Sequence, residues 1–313
     1  MNTTDLLPVE INISSSALPT TTCLLNFYRT VVEGYKEPAQ KSNVVYGTAI
    51  HKYIDTMYKT KGHIPTARVE ALKAFNVPKI DNRKSPHLSD ANHMITTAFM
   101  TWEMFASKDD SIELLDMLGL PATEVSFSIP YYADQYIKVN LAGTLDTLAK
   151  IKGGCYVIRD WKTTSSWDSK SYFKSYEMSK QLRFYVLALK IMSEMYPDSM
   201  LGQIGKTRVG ARIDAIFVKP APNETKWASS EVFQYRDTDI AAFRMTLDDK
   251  IQEISRAIKT GYLPKNGLLT GSCETKWGLC KFWNVCQVDD KVAEVLLTRD
   301  FVKKQFNPLN YNE

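Results

Sequence analysis

No stretch of this 313-residue sequence comes near the run of about 18 apolar residues that a membrane-spanning helix needs. Met1 to Pro19 also lacks the basic start and apolar middle of a secretory signal. The expectation is a cytoplasmic protein with no membrane partner. Cysteine is scarce: five in a chain of this length, without an export signal, argue against a disulfide framework and leave thiols or metal ligands as their use. There is no internal repeat, low-complexity tract or obvious linker. Neither sign of charge dominates, because 39 basic residues against 35 acidic ones leave a net charge of +4. That mild excess suits an anionic partner without demanding one. A hydrophobic share of 44% is enough to bury a substantial core.

What is present is a change of period along the chain. Hydroxyl residues crowd Ile11 to Cys23 and can cap a short helix beginning near the aromatic segment Leu24 to Tyr28. Tyr46, Ile50, Tyr53, Ile54 and Met57 recur at three- and four-residue steps, which predicts an amphipathic helix over Tyr46 to Tyr58 carrying His51. Helical patterns also run from about Thr66 to Phe75 and from about Leu88 to Phe105, separated by the polar stretch Lys79 to Pro86. Strand-like segments follow at Glu124 to Pro130, Tyr136 to Ala142 and Cys155 to Trp161, with Gly153 and Gly154 as a tight turn between the last two. Gln181 to Met195 is a strong helix with Leu182, Tyr185, Val186, Leu189 and Met192 among its apolar positions. Beyond it come a strand at Ala211 to Val218, a pairing candidate at Glu231 to Tyr235, and a long helix from Asp239 to Ile258 before a cysteine-rich tail.

Asp160-Trp161-Lys162 is a D-x-K tripeptide, and the pattern alone means little, since Asp168/Lys170 and Asp248/Lys250 repeat it. Context separates the first of these. Asp160 and Lys162 end the apolar run Tyr156 to Ile158, where strand alternation puts both on one face. A second acid, Asp146, ends the preceding segment from Val139, and the glycine turn would lay the two strands side by side. Phosphodiester hydrolysis needs a nucleophilic water, neutralisation of developing negative charge and help for the leaving oxygen. Two carboxylates can hold magnesium or manganese. Lys162 would add a compact positive charge beside the phosphate and orient or activate the water. The bland alternative is a surface ion pair. Gln181 and Tyr185, four residues apart, share one helical face, and that face has an ordinary packing alternative. A lone histidine such as His51 is equally compatible with plain packing.

Taken in order, His51, Glu124, Gly143 to Asp146, Ile158 to Thr163 and Gln181 to Tyr185 resemble the motifs of the RecB-like branch of the PD-(D/E)xK nuclease superfamily, over nearly the whole chain. The resemblance implies a histidine metal ligand at His51, a metal-binding aspartate at Asp146, and the D/E-x-K pair at Asp160 and Lys162. The main-chain carbonyl of Trp161 is a further candidate ligand. It also implies that Gln181 and Tyr185 face the active site and the DNA backbone, and that Glu124 supports the site.

Cys273, Cys280 and Cys286 form C-x6-C-x5-C near the C-terminus, with Trp277, Phe282 and Trp283 between them, a grouping that points to soft-metal ligation. A fourth ligand is available in Cys23. The same branch includes members with an iron-sulfur cluster held by one N-terminal and three C-terminal cysteines, which implies a [4Fe-4S] cluster here, with Zn2+ as the alternative. The usual tail spacing in that branch is C-x2-C-x5-C, so Cys273 is displaced. Such a site would tie both chain ends together. Cys155, at a strand start, reads as a small core residue.

The expected fold is α/β: a restriction-endonuclease-like core, with a mixed sheet containing antiparallel strands between helices, plus an iron-sulfur lobe joining the termini. A single nuclease domain over 1–313 would comprise an N-terminal segment (1–60), a helical insertion bounding a DNA channel (61–120), a catalytic core (121–263) and the tail (264–313). The implied activity is metal-dependent cutting of DNA, from an end or on single strands, in recombination, repair or phage and mobile-element DNA processing. A CRISPR spacer-adaptation nuclease shares the layout. A non-cutting iron-sulfur or zinc protein that binds nucleic acid is the alternative of another class. No GxxxxGK[ST] loop is present, so a helicase or recombination protein would be a separate partner.

Overall fold

The computed structural model describes residues 7–38, 42–75, 91–104, 109, 111–152, 154–219, 224–275 and 278–309. The polar stretch Lys79–Pro86, the expected helix start at Leu88, Gly153 of the tight turn and Trp277 lie outside them. The main strands are β1 (Val9–Ile13), β2 (Ile112–Leu114), β3 (Thr123–Ala133), β4 (Ile137–Ile151), β5 (Tyr156–Thr164), β6 (Val209–Phe217), β7 (Lys226–Ser229) and β8 (Phe233–Gln234). The main helices are α1 (Ser42–Lys59), α2 (Ile64–Ala74), α3 (Ala91–Met104), α4 (Ser169–Lys174), α5 (Lys180–Met195), α6 (Asp237–Thr260) and α7 (Asp290–Asp300). Chain contacts define two compact units, one from 1–38, 126–143 and 237–313, the other from 39–125 and 144–236.

The second unit is built on a mixed sheet. β5 runs parallel to β6 along its whole length, from Tyr156 beside Val209 to Thr164 beside Phe217. It pairs antiparallel with β4, from Thr147 beside Arg159 to Lys150 beside Tyr156. β2 extends the sheet beyond β4, and β7 and β8 lie antiparallel to the other side of β6. Strands buried on both faces are apolar almost throughout, and β6 is so, with Ala211, Ile213, Ala215, Ile216 and Phe217 all buried.

Helices cover both faces of this sheet. Alternation turns Arg159 and Trp161 toward α1 and α3, where Trp161 joins a core with Tyr53, Ile54, Phe99 and Trp102. Tyr53 stacks on Phe99 with centroids 4.1 Å apart, and Trp102 meets Tyr53, Tyr58 and Trp161 edge-on. Each such ring taken out of water contributes about 1.5–3 kcal/mol. Asp160 and Lys162 turn to the opposite face, where α5 supplies Gln181. The charge of Arg159 is matched under the first face: its Nε donates to Asp214 Oδ2 at 2.6 Å, and Arg212 Nε donates to Asp214 Oδ1 at 2.8 Å. A buried guanidinium without such a partner would be strongly destabilising.

In the first unit, β1 lies parallel to the opening of β4, with Val9 beside Ile137 and Ile13 beside Leu141. Ile11 and Ile13 are buried. The hydroxyl-rich composition from Ile11 onward predicts helix capping rather than a strand, and the strand forms with Val9, Ile11 and Ile13 alternating and its backbone paired to β4. The short helix does follow, as a 3-10 turn over Leu18–Thr22 and an α turn over Leu24–Phe27. The tail packs Phe282, Val285, Ala293 and Leu297 into a small core of their own, and Phe282 stacks on Phe301 at 4.9 Å. Among the described residues no helix is long and apolar enough to cross a membrane.

Candidate active site

The acids sit where the β4–β5 ladder ends. Its last paired residues are Thr147 and Arg159, so Asp146 and Asp160 fall just past the regular pairing. There the Trp161 amide donates to Asp146 Oδ2 at 2.7 Å instead of to a strand carbonyl. This bond fixes the Asp146 carboxylate, and Trp161 is itself fixed by burial and by its indole N–H, which donates to Thr147 Oγ1 at 3.0 Å. The carbonyl of Trp161 faces His51 Nε2 at 2.9 Å. A carbonyl can only accept, so Nε2 carries the proton and Nδ1 is left toward the acids. It lies 3.5 Å from Asp146 Oδ2 and 3.7 Å from Glu124 Oε1.

Glu124 reaches this point through an unusual backbone. Its φ is +49°, in the left-handed region that a non-glycine residue rarely occupies. Such strain persists only where the surroundings impose it. Here the preceding residue is pinned, because buried Thr123 donates to buried Asp55 at 2.7 Å. Asp55 lies one turn beyond His51 on α1, so one helix face supplies a histidine to the site and anchors the strand that supplies the glutamate.

His51, Glu124 and Asp146 thus bring one ligand atom each within 4.8 Å of one another. One imidazole and two carboxylates form a mixed nitrogen and oxygen set suited to a hard or borderline divalent ion. The second observation that fits an ion is electrostatic. Burial and the neighbouring Glu124 charge push the Asp146 carboxyl above its ordinary range against the pull of His51 and Lys162. Burial would depress His51, yet Asp146 and Glu124 outweigh it and raise the imidazolium to about 9. A proton is held where two acids crowd, the place a cation would take.

Asp160, expected among the metal ligands, lies beside this group with partners of its own. Its carboxylate is outside the three-residue group. Oδ2 lies against the Lys162 ammonium without a hydrogen bond of good geometry, and Oδ1 accepts from Gln181 Nε2 at 3.0 Å. Gln181 Nε2 also reaches Tyr185 Oη at 3.1 Å, as the four-residue spacing on α5 requires. Burial, with Asp146 adding to it, lifts Asp160 to about 6 despite Lys162. Lys162 is raised above the ordinary lysine range, because Asp160 and Asp146 outweigh its desolvation. The side chains expected at the site, Glu124 included, therefore all meet in one unit. The tyrosines of the adjoining segment carry no sequence signal that marks them: Tyr172 and Tyr176 share a hydroxyl contact of 3.0 Å and feel the Asp160 charge. The other two D-x-K matches have local explanations. Asp168 caps α4 through the amides of Lys170 and Ser171, and Asp248 accepts from Tyr131 at 2.5 Å.

The other unit holds the cysteine group. Cys23 opens the Leu24–Phe27 turn, and the Leu24 amide donates to Asn266 Oδ1 at 3.1 Å, tying the N-terminal segment to the tail. A Cβ at Gly267 would stand 2.9 Å from Cys273 Sγ and 3.3 Å from Cys23 Cβ, so only glycine fits between them. The Cys280 amide donates to the Cys273 carbonyl at 2.8 Å. Asn26 Nδ2 and Arg29 Nη1 each point at a sulphur, of Cys280 and Cys286 respectively, at 3.7 Å. Burial, then the charges of Cys23, Cys280 and Cys286, push the Cys273 thiol up. Cys155 belongs to the other unit and is half-buried at the start of β5 rather than in the core.

The mixed sheet thus gathers Asp146, Asp160 and Lys162 from neighbouring strands, with Glu124 and His51 beside them. The chain matches the model of the PD-(D/E)XK nuclease superfamily over residues 12–287 and belongs to that superfamily. Comparison with curated proteins gives no match. Among solved structures, that of SSO0001 is similar at 13% identity over 69% of this chain and 77% of that one, with a TM-score of 0.25, too low to carry an argument about function.

Proposed function

We propose that the protein is a magnesium- or manganese-dependent deoxyribonuclease of the RecB-like kind, an exonuclease acting at DNA ends in recombination, repair or phage DNA processing. The observation that carries this reading is the convergence of His51, Glu124 and Asp146 beside the Asp160–Lys162 pair. His51 Nδ1, Glu124 and Asp146 would hold the ion, with Asp160 and the Trp161 carbonyl adjoining. When bound, the ion supplies Lewis-acid stabilisation of the developing phosphate charge and a more acidic water.

The side chains divide the remaining work. Lys162 stays protonated because its acids hold the proton on it, so it acts as a fixed cation toward a phosphate oxygen rather than as a base. Asp160, poised at about 6, is the group suited to accept a proton from the attacking water near neutral pH. Gln181 orients Asp160 through Oδ1 and is itself held by Tyr185. His51 keeps 26% of its side chain and Glu124 27% in solvent, which leaves the site an open side for a polymer to enter.

The four cysteines are read as the ligands of a [4Fe-4S] cluster that fastens the tail to the N-terminal segment. Gly267 stands against both Cys273 Sγ and Cys23 Cβ, which supports one shared site for the N-terminal and tail cysteines. Donors aimed at the sulphurs, as from Asn26 and Arg29, are the kind of contact that tunes such clusters.

Digestion of end-labelled linear, circular and single-stranded DNA with magnesium and with manganese tests the activity. Release of nucleotides from linear and single-stranded substrates, with circular duplex spared, is expected. Cutting of the circle would replace the exonuclease assignment, and no cutting of any DNA would overturn the reading.

A further inference from the structure

We infer that Trp167 is a stacking platform that binds a nucleobase of single-stranded DNA beside the nuclease site. The inference rests on the activity proposed above and names the form of substrate that this site takes.

Trp167 lies five residues beyond Lys162, in the loop that leaves β5. An extended chain spans at most about 18 Å over five residues, so the indole stands within a few nucleotides of Asp160 and Lys162. It is 76% exposed. Tryptophan is usually well buried, and an indole left in water costs free energy that folding normally recovers. This one is not loose. The Lys219 ammonium sits 3.5 Å from the ring centroid, and Lys219 itself is only 5% exposed. Its Nζ donates to the carbonyls of Ser165 at 2.9 Å and Ser166 at 2.8 Å, the two residues that precede the tryptophan. The lysine therefore locks the loop and supports one face of the indole. With one face against a lysine and 76% of the residue in water, the other face is open.

A rigid, one-sided aromatic surface beside a phosphodiester-cleaving centre is the arrangement by which proteins hold unstacked bases. A duplex hides its base faces in the stack, so the platform discriminates for single strands or frayed ends. The charge around it suits the same ligand. Asp168, next in the chain, is occupied in capping the amides of Lys170 and Ser171, and along the following segment the exposed Lys170, Lys174 and Lys180 outnumber the exposed Glu177. These cations can follow the phosphates while Trp167 holds a base.

The test is binding of a labelled oligodeoxynucleotide to the full chain, followed by anisotropy with divalent ions chelated so that no cutting occurs. Trp167→Ala should weaken the single strand about 5- to 150-fold, the range that removal of one stacking partner gives, while the annealed duplex changes less than about twofold. Trp167→Phe should recover most of the loss. An oligonucleotide carrying one abasic position, moved along the strand, should bind less tightly to the wild-type protein at one register and show no such dip with Trp167→Ala. Unchanged single-strand affinity in Trp167→Ala, or an equal loss on single strand and duplex, overturns the platform. These arms read binding alone, so a protein that cuts no DNA in magnesium or manganese fails the proposed activity separately.

Discussion

Lys162→Met removes the cation paired with Asp160 Oδ2, and its consequences can be worked from burial. Asp160 is 1% exposed and Lys162 23%. Stripping one partner from a buried ion pair costs about 3–5 kcal/mol, and the partial exposure of Lys162 puts this pair at the lower end, about 3 kcal/mol at pH 8. At about 2 °C per kcal/mol for a chain of this size, the melting midpoint should fall by about 6 °C. The loss depends on pH with a defined sign. Asp160 has a folded-state value of about 6, above its unfolded value, so the folded protein takes up a proton first and the burial penalty fades as pH falls through 6. Without Lys162 that value rises further. The gap between variant and wild type should therefore narrow at pH 5.5 and widen toward pH 8. Thermal melts at both pH values measure it, and DNA digestion on the same samples should show no cutting. A destabilisation independent of pH, or cutting at the wild-type rate, would refute the assignment of this pair.

Gln181→Leu leaves Asp160 Oδ1 without its donor at 3.0 Å; kcat should drop at least about tenfold with little change in KM, and an unchanged kcat would remove Gln181 from the site. Gly267→Ala forces a methyl to within 2.9 Å of Cys273 Sγ, so bound iron measured on anaerobic protein should fall as far as it does for Cys273→Ser. Cys155→Ser should keep its iron, and retention of full iron by Cys273→Ser would show that this displaced cysteine is not a ligand. Metal affinity should rise with pH by about one log unit per unit between pH 7 and 8.5, because an ion bound at His51 must displace a proton held to about 9. A flat profile by calorimetry would place the ion elsewhere.

How much of this is legible in the sequence differs from residue to residue. Asp146, Asp160 and Lys162 stand out because strand alternation and a glycine turn are local signals, and Gln181 and Tyr185 because four residues make one helical turn. β4 is longer than its pattern suggests, Ile137–Ile151 in one strand, since Ala142 to Gly143 is not a break in a strand buried by its neighbours. Glu124 reads from sequence as a supporting residue, whereas its carboxylate stands with His51 and Asp146. That placement depends on a positive φ and on Thr123 held by Asp55, 68 residues away, which no local pattern carries. Asp160 reads as a direct metal ligand, and the structure sets it beside the three-residue group, with Gln181 on Oδ1 and the Lys162 ammonium against Oδ2, partners that lie 21 and 2 residues away in the chain. β1 escapes notice although Val9, Ile11 and Ile13 alternate, because the hydroxyl-rich residues after them carry the stronger signal. Arg159 is inconspicuous beside its two charged neighbours, and only the register with β6 reveals Asp214 as its partner.

The proposed nuclease activity requires one divalent ion held by His51, Glu124 and Asp146. Manganese titrated into the wild-type protein, with bound ion counted by electron paramagnetic resonance and DNA cutting measured in the same samples, tests this most directly. Cutting should rise in proportion to the first bound ion and vanish with it in Glu124→Gln and Asp146→Asn at the same manganese concentration. Cutting that persists in chelator, or that is unchanged in variants lacking the bound ion, would contradict it.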